Sequence, residues 1–381
     1  MAEQRKIRVA VVFGGRSSEH AISCITAGSV LSVIDHERYE VIPVGITSAG
    51  DWVLGSGDPE HLAITDGKLP EITADSGASL ALPFAPEAGS FLVTRPGDGP
   101  AALGEVDVVL PLLHGPYGED GTIQGLFEMV GTRYAGAGVF ASAACMDKIM
   151  LKVLLAGQGF TVGPYVGITD RQWRMDRKRI LEDVAALANS TASGAGTVGF
   201  VKPARAGSSV GITRLGDVTD TDAVVAAVES ARQHDPRVLV EAAVEGREIE
   251  CGVLEATDGG WPEVSVPAEI HVDTEHDFYD FEAKYLADSD LTIPAELSEE
   301  VTAELRRTAA AAFDAAGGEG LARVDFFYGA DGHIYINEIN TMPGFTPTSA
   351  FPQMWAASGL DYPTLVDRLL RTALARQPGL R

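Results

Sequence analysis

The chain has 381 residues, 45% of them hydrophobic, and a formal net charge of -25 at neutral pH. That length calls for two or three domains rather than one small core. That charge repels nucleic-acid backbones and anionic lipid heads, and no local basic patch offsets it, so the expected partner is a small molecule, with no nucleic acid and no membrane.

The first third alternates strand and helix. Ile7 to Phe13 reads as a strand, His20 to Ile34 as a helix, Tyr39 to Thr47 and Val106 to Leu113 as strands, and Thr122 to Val130 as a helix. Such alternation predicts an open parallel sheet wrapped by helices. The apolar run Val9 to Phe13 stops at Gly14-Gly15-Arg16, too short for a signal sequence or a membrane span, and the expected location is cytoplasmic. Residues 50 to 104 are rich in Gly, Pro, Ala and Asp and are expected to form loops with short hairpins. Cys24, Cys145 and Cys251 lack metal-ligand spacing and read as buried thiols in a reducing compartment.

A second unit begins near Ala137. Asp147 caps a helix over Lys148 to Ala156; a strand over Thr161 to Ile168, a polar helical stretch over Arg171 to Asn189 and a strand over Gly199 to Lys202 follow. The third unit holds strands over Glu248 to Leu254 and Val264 to His271, a helix over Ser298 to Ala316, and a hairpin over Arg323 to Asn340 turning at Asp331-Gly332.

That hairpin carries the strongest chemical signal. Alternation places Arg323 and Asp325 on one face of its first strand and Glu338 and Asn340 on one face of the second. If Asp325 opposes residue 336 or 338, the side chains of Asp325, Glu338 and Asn340 converge as an oxygen-only site. Such a set suits Mg²⁺ or Mn²⁺ whose remaining ligand is phosphate. A solvated hairpin with its acids facing water is the alternative.

Lys202-Pro203 and the loop 204 to 212, Ala-Arg-Ala-Gly-Ser-Ser-Val-Gly-Ile, put a lysine and free backbone amides where a phosphate can sit. The loop is neither a Walker A motif nor a dinucleotide fingerprint. Lys148 is a second candidate phosphate contact. Val238 to Glu241, with Glu248 seven residues on, is a strand and linker on which adenine and ribose could rest; an ordinary interdomain link is the other reading. Glu19 follows Gly14-Gly15-Arg16-Ser17-Ser18 at a helix start, either as that helix's own anion or as a carboxylate aimed at a substrate ammonium. His114 opens His-Gly-Pro-Tyr-Gly-Glu-Asp-Gly at a strand end, the edge where open α/β sheets bind ligands, and its glycines favour exposure. The polar, aromatic stretch around Lys284 and Tyr285 suits a lid that excludes water.

In this order the motifs resemble the D-alanine:D-alanine ligases of the ATP-grasp superfamily. The resemblance runs through G-G-R-S-S-E at 14 to 19, H-G-P-Y-G-E-D-G at 114 to 121, M-D-K at 146 to 148, V-K-P-A-R-A-G-S-S-V-G at 201 to 211, F-Y-D-F-E-A-K-Y at 278 to 285 and N-E-I-N-T-M-P-G-F-T at 337 to 346. It implies an α/β (α+β) three-domain fold. Residues 1–136 would form an open parallel α/β substrate-binding domain, 137–241 a small central lobe, and 242–381 a mainly antiparallel catalytic lobe with a lid loop at about 271–290.

It also implies roles. Lys148, Lys202 and Lys284 would hold the ATP phosphates; Glu241 with the backbone of Ala243 and Val244 would take adenine, and Glu248 the ribose. Asp325, Glu338 and Asn340 would share two Mg²⁺ ions, with Mn²⁺ as substitute and room for K⁺ as a further cation. Glu19, near His114, would bind the first D-alanine and lock the lid through Ser208 and Tyr285. Ser349 would hold the second D-alanine, and Arg323 and the Gly344 amide the tetrahedral oxyanion. The product implied is D-alanyl-D-alanine for peptidoglycan precursors, made by a homodimer. Two departures stand out: Ala242 where similar enzymes carry a lysine, and Ala350 where a larger apolar residue is common. A D-alanine:D-lactate ligase shares these motifs but tends to lack the lid tyrosine; a nucleotide-regulated binding protein without turnover is the other alternative.

Overall fold

The computed structural model describes residues 5–81, 90–94, 101–189, 197–271, 291–377 and 379. Three sheets organise these residues. The middle of the first is parallel: Ile7–Gly14 pairs with Tyr39–Ile46 on one side and Val108–Pro111 on the other. Val9 to Val12 have no exposed surface, as befits a strand covered on both faces.

Beyond Tyr39–Ile46 the sheet runs on as an antiparallel meander through Trp52–Leu54, Ala78–Ala81, Ser90–Thr94 and Ala101–Glu105, reaching seven strands. The expected open parallel sheet therefore holds for three strands, and the stretch expected as loops and hairpins enlarges it. These added strands are only three to five residues long, too short for alternation to show in sequence. Arg8 ties the outer edge down, its guanidinium donating to the Leu103 and Glu105 carbonyls at 3.0 and 2.8 Å.

The second sheet is antiparallel throughout, in the order Thr213–Leu215, Gly199–Pro203, Val238–Ala242, Tyr165–Ile168. Its core gathers around Trp173, Val201, Val228 and Val240. The polar helical stretch is broken in two, Asp170–Met175 and Arg177–Ala186, because Asp176 leaves the helical region at φ -143°. Thr169 and Gln172 start the first piece with a capping box.

The third sheet places Leu291–Thr292, Ala268–Ile270, Gly246–Leu254, Leu321–Gly329 and Ile334–Asn340 side by side, with Glu263–Val264 beside the end of Gly246–Leu254. The single strand expected over 264 to 271 divides before Pro267, which has no N–H to give a ladder. Ser298 caps the helix Glu299–Ala315 through Val301 N, and Leu305, Ala309, Ala312 and Phe313 press its apolar stripe onto Val324 and Phe326. Leu151 and Leu155, from the helix Lys148–Gly157, join the same core.

The last helix, Tyr362–Ala375, returns to the first sheet. Leu365, Val366, Leu369, Leu370 and Ala373 share a core with Val9, Val11 and Phe13. The spacing of these residues is that of one helix face, and their burial fastens the end of the chain to its beginning. The three cysteines are free and buried; burial pushes Cys24 and Cys145 up to about 12. Among the described residues no helix is long and apolar enough to cross a membrane.

Candidate active site

Near the hairpin turn Tyr328 opposes Ile334 and Phe326 opposes Ile336, yet farther on Asp325 opposes Glu338 and Arg323 opposes Asn340. Asn337 is the extra residue of a β-bulge. Ile336 and Ile339 remain in the core at 1% and 4% exposure, so both residues between them, Asn337 and Glu338, face a cavity of about 370 Å³. Without the bulge Asp325 would oppose Asn337, and Glu338 would turn inward.

Asp325 is nearly buried and is held by three bonds. The Arg323 guanidinium donates to its two oxygens at 2.7 and 2.8 Å, and Asn340 Nδ2 donates at 2.9 Å. Glu338 and Asn340 line the cavity, whereas Asp325 lies behind them. Arg323 also meets Glu250, on the adjacent strand, at 3.2 Å. Burial works against its charge, but Asp325 and Glu250 outweigh it and hold the guanidinium well above its ordinary value.

Among the described residues no three His, Cys, Asp or Glu side chains group as a metal site. Asp325, Glu338 and Asn340 are instead two carboxylates and an amide. Glu338 and Asn340 are the two that offer oxygens to the cavity, with Asp325 bonded behind them to Arg323 and Asn340, and such an incomplete, oxygen-only shell fits a hard divalent ion that takes its other ligands from phosphate and water.

Opposite the hairpin lie the lysines. Asp147 caps the helix Lys148–Gly157 by accepting from Ile149 N and Met150 N, which sets Lys148 at its first position. Lys148 Nζ donates to the Ala206 carbonyl at 3.1 Å and stands 3.5 Å from Glu338. Lys202 Nζ is 2.8 Å from one oxygen of Glu241, and Lys152, which the sequence did not single out, is 2.7 Å from the other. Burial pulls Lys202 down, yet Glu241 and more distant Glu338 and Glu248 raise it overall. Burial would likewise raise Glu241, but the two lysines bring it down to about 2. Ala243, Val244 and Glu248 line the same cavity. Ala243 gives its N–H to the Val198 carbonyl, so that donor is already spent inside the protein.

The loop after Lys202 is folded back on itself, with Ser208 and Ser209 at φ 47° and 58°. Such left-handed conformations are costly for residues with a Cβ. They aim Ser208 Oγ at Glu19 Oε1, to which it donates. Glu19 sits at the N-cap of the helix His20–Val33 without a side-chain capping bond, and its buried carboxylate lines the cavity. A Cβ at Gly207 would lie 2.6 Å from Glu19 Oε2, so a larger residue there would displace either the loop or the Glu19 carboxylate.

His114 is 2% exposed, against the exposure expected from its glycines. Its Nδ1 donates to the Met342 carbonyl at 3.1 Å, and Thr26 Oγ1 lies 3.4 Å from Nε2. Burial, only partly opposed by Glu19 and the Met342 bond, lowers its pKa and keeps the ring neutral. Glu119, also missed in sequence, accepts from Gly115 N at 2.7 Å and Met342 N at 3.0 Å. Burial and the Glu19 charge push it up to about 8 against those two bonds. Both backbone groups of Met342 are thus fixed by the loop after Val108–Pro111, which ties the first sheet to the segment holding Gly344.

Gly344, Ser349 and Ala350 complete the wall. Ser349 is the N-cap of the helix Ala350–Ala357 with no capping bond, its hydroxyl lying 2.8 Å from Thr346 Oγ1. The structure brings Glu19, His114, Lys148, Lys202, Ser208, Glu241, Ala243, Val244, Glu248, Arg323, Glu338, Asn340, Gly344 and Ser349 around one cavity. Lys284 and Tyr285 lie outside the described residues.

Residues 8–137 match the family model described as D-ala D-ala ligase N-terminus, and residues 154–371 that described as D-ala D-ala ligase C-terminus. A D-alanine–D-alanine ligase of Kineococcus radiotolerans is 56% identical over the whole of both chains. That of Streptomyces coelicolor is 54% identical over 98% of this chain and 95% of its own. Among solved structures, the VanG D-Ala:D-Ser ligase of Enterococcus faecalis superposes with a TM-score of 0.80 at 31% identity, over 97% of this chain and 100% of that one. The D-alanine-D-alanine ligase of Coxiella burnetii gives 0.77 at 31%, over 97% and 94%. With both halves matched and full-length relatives above half identity, the chain belongs to the D-alanine–D-alanine ligase family and has its ATP-grasp fold.

Proposed function

We propose that this chain joins two molecules of D-alanine at the expense of ATP, through a D-alanyl phosphate, releasing ADP and phosphate and supplying the dipeptide of peptidoglycan precursors. The observation that carries the reading is the Ser208–Glu19 bond. It brings a phosphate-type loop and a carboxylate fit for an ammonium group to the same cavity as Glu338 and Asn340.

A carboxylate is a poor electrophile, so its oxygen first attacks the γ-phosphorus of ATP and ADP leaves. Lys148 and Lys202, with Lys284 from the lid, neutralise charge on the phosphates. The Val244 amide and the Glu241 carboxylate take the adenine edge, and Glu248 the ribose. Asp325, Glu338 and Asn340 would hold Mg²⁺, or Mn²⁺ in its place, which when bound supplies positive charge to the β- and γ-phosphate oxygens.

Glu19 orients the first D-alanine by its ammonium, beside a neutral His114. The amine of the second D-alanine, seated by Ser349, attacks the acyl carbon once it has lost its proton. The tetrahedral oxyanion is met by Arg323, already locked in place by Asp325 and Glu250, and by the Gly344 amide. Phosphate then departs. The lid expected at about 271–290, with Tyr285, lies largely outside the described residues; in this reading it would keep water from the acyl phosphate. A homodimer paired through residues 1–136, a cytoplasmic location and the division 1–136, 137–241 and 242–381 belong to the same proposal.

Relatives above half identity are named for D-alanine as acceptor; this favours the dipeptide over ester or D-serine products. Incubating the protein with Mg²⁺, ATP, D-alanine and an excess of D-lactate or D-serine at neutral pH should give mainly D-alanyl-D-alanine. A dominant ester or mixed dipeptide would overturn the acceptor assignment.

A further inference from the structure

Glu241 has two ammonium partners, and they are not equivalent. Lys152 is 2% exposed, one turn beyond Lys148 in the helix Lys148–Gly157, and lies over the Tyr165 ring at 5.8 Å. Lys202 is 15% exposed at the end of Gly199–Pro203, next to the phosphate-type loop, and lies over the Phe200 ring at the same 5.8 Å, so the two differ in exposure and place, not in their ring contact. Both side chains line the cavity, but Lys202 is the more exposed of the two and stands beside the loop, so it is the one that can turn to a phosphate at the smaller cost in packing. Were Lys202 the single partner of Glu241, its departure would leave a carboxylate buried without counter-charge, an arrangement that is strongly unfavourable. With Lys152 in place, the carboxylate keeps a full positive charge in contact after Lys202 has gone.

We propose that Lys152 is a positioning residue: it is the standing counter-charge of Glu241 and so releases Lys202 to the phosphates of an incoming nucleotide. The inference rests on the ATP reading above and deepens it. Lys152 touches no reacting atom in this account. Its effect falls on nucleotide affinity, because the cost arises when Lys202 changes partner, and little of it remains at the chemical step.

The test is a cycle of four proteins, wild type, Lys152→Met, Glu241→Gln and the double variant, each compared at a temperature where circular dichroism shows all of them folded. ADP affinity by calorimetry and KM for ATP are measured. Lys152→Met should weaken ADP binding and raise KM by about 30-fold, with kcat altered less than about threefold. In the Glu241→Gln background the same change should cost less than about threefold, since no carboxylate is left to neutralise. Lys152→Arg, which keeps the charge, should stay within about threefold of wild type. Lys152→Gln, which keeps a donor without charge, replaces Lys152→Met if that variant does not fold. An equal penalty in both backgrounds, or no penalty in either, overturns the proposal while leaving the ATP reading intact. Failure of wild type to bind ADP at all would remove both.

Discussion

Replacing Glu338 by Gln should lower kcat by about 10³-fold while leaving the protein folded. The substitution keeps the shape of the side chain and removes one negative charge and one metal-binding oxygen. It acts at the bulge, where Glu338 opposes Asp325 and faces the cavity. Its cost in stability should be small, because the Glu338 side chain is 22% exposed and its ion pair with Lys148 is a loose 3.5 Å. The buried charges next to it are balanced without it: Arg323 has Asp325 and Glu250. Steady-state phosphate release and a thermal melt on the same preparation check the two halves of this expectation. Activity within about tenfold of wild type would remove Glu338 from the metal site; a collapse of the melt would reassign it to folding.

The second large effect is expected at Glu241, and on stability first. Glu241→Gln leaves Lys152, 2% exposed, with no anion in contact. Breaking a buried pair in this way costs about 3–5 kcal/mol, which for a chain of this size is a fall in Tm of about 5 °C. The pH dependence has a definite sign. The folded carboxylate titrates near about 2, below the ordinary 4.5, so between those values the unfolded chain binds more protons than the folded one. Stability from this group is full above about 4.5 and is lost as pH falls toward 2. Glu241→Gln should remove that component, flattening the acid limb of a stability-against-pH curve while lowering its neutral plateau. A neutral-pH loss below about 1 kcal/mol would show that the two lysines are solvated and that the cluster is not closed.

How far the sequence carried the reading depended on how local each signal was. The hairpin was legible because alternation, the Asp331-Gly332 turn and four polar side chains lie within one stretch. Its bulge at Asn337 was not, since no residue type marks the place where two successive side chains face the same way. The helix cap at Asp147 could be read because a cap acts on the next few residues. Lys152 could not, for it looks like any helical lysine until a strand far along the chain brings Glu241 to it. The burial of His114 depends on Met342 and Thr26, which come from other elements. The same holds for Glu119, whose two bonds join distant loops. The short strands between 50 and 104 owe their conformation to the sheet that they extend, and not to their own pattern. The six motifs, by contrast, carried the family, and residues from five of them line the one cavity described above.

The most direct test of the central claim, that an amino-acid carboxylate is activated as an acyl phosphate before the second amine attacks, is to follow its oxygen. D-alanine labelled with ¹⁸O in the carboxylate is incubated with the protein, Mg²⁺ and ATP, and the released phosphate is examined by mass spectrometry. The account predicts one labelled oxygen in each phosphate, with one dipeptide formed per phosphate. Unlabelled phosphate, or phosphate released at the same rate without D-alanine, would contradict it.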